Sequence, residues 1–189
     1  MKLSLHISRI LNRFFASNSK LPDRRRGRHQ RVQLAVQALE PRTLLTTTGF
    51  NAAAETMLVY LVNQTRLNPE ATASRLAVSL PANQIGPFAP LVVNAALQVA
   101  ARLHSEDMLA NNYFSHTGLN GSSPGSRATA TGYPTTFVGE NVYSSWSSGS
   151  LSDTPEKIAR EMNDGWFKSP GHRSNMLAAN WTEFGTGIA

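Results

Sequence analysis

The sequence predicts an α+β domain behind a basic amino-terminal arm, on three observations. Apolar residues recur at helical spacing over residues 52–66, 91–111 and 155–168. Two shorter segments, 137–143 and 183–189, have mixed or strand-like patterns. The charge is also segregated: residues 1–50 carry ten Lys and Arg against two Asp and Glu, while residues 51–189 have a net charge of −2. The chain's formal +6 therefore belongs to the arm, which removes most of the case for a nucleic-acid-binding domain. At 189 residues the chain divides into an arm, 1–50, and one domain of ordinary size, 51–189.

The arm opens with a basic amphipathic stretch, 3–16, in which Arg9 and Arg13 interrupt Leu, Ile and Phe. It lacks the unbroken apolar core of a standard secretory signal. An arginine-dense stretch, 22–31, and LEPRTLL at 39–45 follow. Composition alone reads the arm as a disordered basic segment of a cytosolic protein. There is no cysteine, hence no disulfide framework, and a domain this size can bury enough surface without one. No window reaches the roughly 18 apolar residues of a spanning helix, so the chain is expected to have no transmembrane span.

Within the domain, Leu58, Leu61, Val62 and Thr65 share one helix face, and Asn68-Pro69 ends or interrupts that helix. Three prolines and a glycine make 79–90 a loop. On the second helix Leu97, Ala101, His104 and Met108 form a stripe that excludes Glu106 and Asp107. Residues 115–132 read as a loop, 137–143 as a strand or short turn, and 144–152 as a serine- and glycine-rich surface loop. Asp153-Thr154-Pro155-Glu156 is a helix start, after which Ile158, Met162 and Trp166 mark a buried face. Ser169-Pro170-Gly171 breaks the chain sharply and presents His172. Residues 183–189 begin a strand at which the sequence stops, the expected mark of a truncated chain or a sheet missing an edge.

Four polar residues stand out: His104, His116, Glu140 and His172. Each has an ordinary alternative. His104 fits a hydrogen-bonded core histidine, His116 a surface residue, Glu140 a turn holder and His172 a helix-end cap. Converging, they suit two chemistries. Imidazoles with a carboxylate bind Zn²⁺ or a similar divalent cation, His104 and His172 being the candidate ligands. The same groups also exchange protons near neutral pH, with Glu140, His104 and His172 as candidate catalytic residues. No H-E-x-x-H run is present, and no G-x-S-x-G elbow positions Ser105, Ser115 or Ser169 as a nucleophile.

The order LVNQTR, LHSEDM, YFSHTG, GSSPGSRATATGY, GENVY and SPGHRSNML resembles the CAP superfamily, in its bacterial SCP-like branch, from about Thr56 onward. That resemblance implies a three-layer α-β-α sandwich around a central antiparallel sheet. It also implies a cleft at His104, Glu140 and His172, with His116 where a second glutamate commonly stands. LEPRTLL is similar to the LEPR-x-LL motif of planctomycete exported proteins and implies export to the cell surface, periplasm or medium. The expected role is extracellular binding of a divalent cation or small ligand at His104, His116, Glu140 and His172. A peptide or ester hydrolase and a purely structural polar network are the alternatives. Oligomeric state is not legible in the sequence.

Overall fold

The computed structural model describes residues 49–145 and 154–189. The amphipathic stretch 3–16, the arginine-dense stretch 22–31, LEPRTLL, residues 146–152 of the serine- and glycine-rich loop and Asp153 lie outside the described residues.

Helix α1 covers 49–67, and its inward face repeats Ala54, Leu58, Leu61, Val62 and Thr65 at three- and four-residue spacing, all buried. Asn68 separates it from α2 (Pro69–Leu76). The Asn68 side chain accepts the Ala71 N–H at 3.0 Å, and Pro69 occupies a position where a helix has no use for an N–H. The proline that the sequence reads as a stop is also a start.

A 3-10 turn at Ala82–Gln84 precedes β1 (Val92–Val93) and α3 (Ala95–Ala110), capped by the Asn94 side chain on the Ala96 and Leu97 N–H groups. Helix α4 (Pro124–Ala130) opens with a Ser123/Ser126 capping box, inside a stretch expected to be loop. Thr154 caps α5 (Pro155–Lys168), and Ser169 ends that helix and begins α6 (Pro170–Met176). Strand β2 (Glu183–Phe184) follows. The core joins α1 to α5 and α6 through Leu58, Val62, Met162, Phe167 and Leu177, with Ile188 completing it.

Two buried arginines brace this core. Arg66 Nε donates to the Ala89 carbonyl at 2.8 Å, and Nη1 donates to Met176 at 2.6 Å and Ala178 at 3.1 Å, at the C-terminal end of α6. Arg173 Nη1 donates to the Phe167 carbonyl at 2.9 Å, in the last turn of α5, and Nε donates to Gln84 at 2.7 Å. Helix C-termini leave carbonyls without intrahelical partners and carry partial negative charge, which suits a cation there.

The expected three-layer sandwich with an antiparallel sheet does not form. The described residues are mostly helical, and their sheet is one parallel pair, Val92 opposite Glu183 and Val93 opposite Phe184. Each side of the ladder has a physical stop. Asn94 turns the chain into α3 directly after Val93. Gly185 and Gly187 then run so close to the α3 backbone, at Leu97–Gln98 and Ala101–Arg102, that a Cβ on either would overlap it. The segment after β2 is held by side chains instead: the Glu55 carboxylate accepts the Ile188 N–H at 3.0 Å, and Ser105 Oγ donates to the Gly187 carbonyl at 2.9 Å. The stretch 137–143 forms no strand; its Val142 carbonyl accepts from the Trp166 indole at 3.1 Å.

Candidate functional site

Glu140 is the hub of the polar cluster. One carboxylate oxygen accepts from His116 Nδ1 at 2.8 Å and the other from Arg127 Nη2 at 2.6 Å. Arg127 projects from α4, is largely buried, and also donates to the Ser122 carbonyl at 2.9 Å. His116 is half-exposed on the loop after α3. Since an ionised carboxylate only accepts, Nδ1 carries the proton, and in the neutral ring Nε2 keeps its lone pair. His172, near the start of α6, lies close enough to His116 to sense its charge. Partial burial pushes the His172 imidazole below its ordinary value, and repulsion from His116 adds to that shift.

His104 is placed differently. It is 3 % exposed on α3, and its Nε2 is 2.9 Å from the Ser115 carbonyl, so Nε2–H donates. Its Nδ1 is buried without a partner, and the ring meets Tyr113 edge-on at 6.1 Å. The bond to Ser115 fixes the backbone one residue before His116, so His104 positions that loop from behind. The structure thus pairs His116 with Glu140, leaves His172 near enough to His116 to sense its charge, and buries His104 behind the Ser115 carbonyl. Among the described residues, no group of three or more His, Asp or Glu side chains is arranged to hold a metal ion.

Sequence reasoning missed Arg127, Asn141 and Asn175, although all three lie in the motifs quoted above. Asn141 Nδ2 donates to the His172 carbonyl at 3.1 Å, and Asn175 Nδ2 donates to Asn141 Oδ1 at 2.9 Å. Asn175 Oδ1 in turn accepts from the Trp181 indole at 3.0 Å. This amide chain locks the loop bearing Glu140 onto α6. It also explains Gly139, where a Cβ would overlap the Asn175 amide. Next to Glu140 opens a cavity of about 230 Å³, whose lining includes His104, Arg127, Glu140, Tyr133, Phe137 and Trp181.

The model of the CAP, or cysteine-rich secretory protein, family matches residues 59–189. The chain belongs to the CAP family. This CAP domain is 33% identical over 98 residues to the uncharacterized protein YkwD of Bacillus subtilis (strain 168), covering 52% of this chain and 34% of that protein. It is 33% identical over 85 residues to the uncharacterized membrane protein YlbC of the same organism, covering 45% and 22% respectively. The chain therefore matches well under half the length of either curated relative. In fold it is similar to an extracellular protein containing an SCP domain from Bacillus anthracis str. Ames. That likeness has a TM-score of 0.50 at 24% identity and covers 74% of this chain and 38% of the other. In the described residues no helix is long and apolar enough to cross a membrane.

Proposed function

We propose that this CAP domain is an exported binding module whose surface imidazoles, His116 and His172, take a divalent cation or small ligand while Glu140 orients His116. The observation that carries the reading is the 2.8 Å His116–Glu140 bond. A histidine that gives one ring N–H to a carboxylate offers its other nitrogen in a fixed direction, the usual arrangement behind metal-ligating imidazoles. His172, held toward its neutral form, supplies a second nitrogen nearby. His104, with Nε2 committed to a carbonyl and Nδ1 buried, serves the site as a positioning residue. Export is supported by the LEPRTLL motif, by membership of a family named for secretory proteins, and by the extracellular B. anthracis protein of similar fold.

The His116–Glu140 pair is also the base-and-orienter half of a hydrolytic site. Two of the three candidate serine nucleophiles are already engaged: Ser105 Oγ donates to Gly187, and Ser115 Oγ accepts the Thr117 N–H. Ser169 lies at the junction of α5 and α6, outside the cluster's hydrogen-bond chain. Binding is therefore the better reading. Calorimetric titration of the full chain with Zn²⁺ tests it. Saturable binding should disappear in His172→Ala and weaken by about 10–100-fold in Glu140→Gln. Equal Zn²⁺ affinity in wild type and both variants would overturn it.

A further inference from the structure

The 230 Å³ cavity is also lined by three aromatic residues, Tyr133, Phe137 and Trp181, and by the exposed carboxylate of Glu183. Phe137 is 70% exposed, and its centroid lies 5.3 Å from that of Trp181 with the planes 45° apart. Asn175 already takes the Trp181 indole N–H, so what the ring has left to offer is its face. Tyr133 lines the same cavity, and its hydroxyl donates to Glu183 Oε2 at 3.0 Å. Asn94 Nδ2 donates to Glu183 Oε1 at 3.0 Å. Both partners are neutral: they fix the carboxylate without neutralising it, and among the described residues Glu183 has no cationic partner. Glu140, which lines the same cavity, differs in having Arg127 and His116.

We infer that Tyr133, Phe137, Trp181 and Glu183 form a binding site for a small organic cation, an alkylammonium or quaternary ammonium group. Aromatic faces attract cations through their quadrupole, more strongly when the cation is desolvated. A prepositioned carboxylate adds a charge that a neutral ligand cannot use. The cavity falls below the ~300–1,000 Å³ usual for drug-sized ligands, so it suits a headgroup or a single side chain.

The test uses the full chain, with tryptophan fluorescence and calorimetry as readouts. Choline represents a free cation, Nα-acetyl-lysine amide a peptide-borne one, and 3,3-dimethyl-1-butanol, choline's uncharged isostere, is the control. At least one cation should bind saturably, while the isostere binds about tenfold more weakly or not at all. Which cation binds identifies the source. Phe137→Ala, at an exposed position, and Glu183→Gln, which keeps a hydrogen-bonding amide, should each weaken binding about fivefold with unchanged circular dichroism. Failure of both cations to bind overturns the site. So does binding of the isostere equal to that of choline, or a Glu183→Gln protein that binds as wild type does.

Discussion

Replacing Arg102 by methionine strips the cation from a carboxylate that water hardly reaches. Glu55 is 2% exposed, and Arg102 meets it through Nη2 at 2.5 Å and Nε at 3.2 Å. After the substitution Glu55 keeps only Gln98 Nε2, at 3.2 Å, and the Ile188 N–H, at 3.0 Å. A buried charge left without its partner costs about 3–5 kcal/mol, whereas losing an exposed pair costs about 0.2–1 kcal/mol. Arg102 itself is 42% exposed, so some water already reaches the pair, and the loss should lie near 3 kcal/mol. The reverse change should be milder. Glu55→Gln retains an oxygen for the Ile188 N–H and leaves a guanidinium that solvent can hydrate, at about 1–2 kcal/mol. The double variant should be more stable than Arg102→Met alone. Urea unfolding of the full chain followed by circular dichroism at pH 7 measures all three, provided the m-value is unchanged. Arg102→Met costing under about 1 kcal/mol, or less than Glu55→Gln, would refute the asymmetry.

Two further predictions concern packing and pH. Gly185→Ala drives a methyl group into the α3 backbone and should cost at least about 1–3 kcal/mol by thermal unfolding, while Gly171→Ala, with open space at its Cβ, should be near neutral. Unfolding midpoints taken across pH should show two acid-sensitive steps. His172 is pushed down by burial and by His116, so the unfolded chain takes up a proton first and stability falls as pH drops below 6.5; His172→Gln should remove that step. Burial alone would raise the Asp164 carboxyl, but hydrogen bonds from Arg75 and Asn163 and the nearby arginine charges hold it below 3.8. Its contribution is complete above 3.8 and is lost as pH falls through its folded value, so Arg75→Gln should shrink the loss.

The helices that show in the sequence are those with long apolar stripes, α1, α3 and α5. Helices α2, α4 and α6 are short and begin at Asn68-Pro69, Ser123-Pro124 and Ser169-Pro170, each a cap followed by proline. The same pairing at Thr154-Pro155 reads correctly as a start because a periodic stripe follows it. Without the stripe, proline reads as a break. The sheet was less legible still. Val92-Val93 and Glu183-Phe184 pair across some ninety residues, and what limits their ladder is Asn94 and the approach of Gly185 to α3, neither a local property. Within the polar cluster, His116, Glu140 and His172 are visible as residue types in loops. Arg127, Asn141 and Asn175 matter through partners 13 to 34 positions away, which no local pattern encodes.

The two core arginines have a consequence for where such a fold can work. Burial lowers the Arg66 guanidinium from its ordinary value, yet an arginine in a protein does not surrender its proton, and a peptide carbonyl does not accept one in ordinary acid. The clamps on the ends of α5 and α6 therefore contain nothing that titrates. A carboxylate in their place would loosen as its surroundings acidified. Side-chain protonation therefore does not itself break the bonds from Arg66 to the end of α6 or from Arg173 to the end of α5 as a medium acidifies.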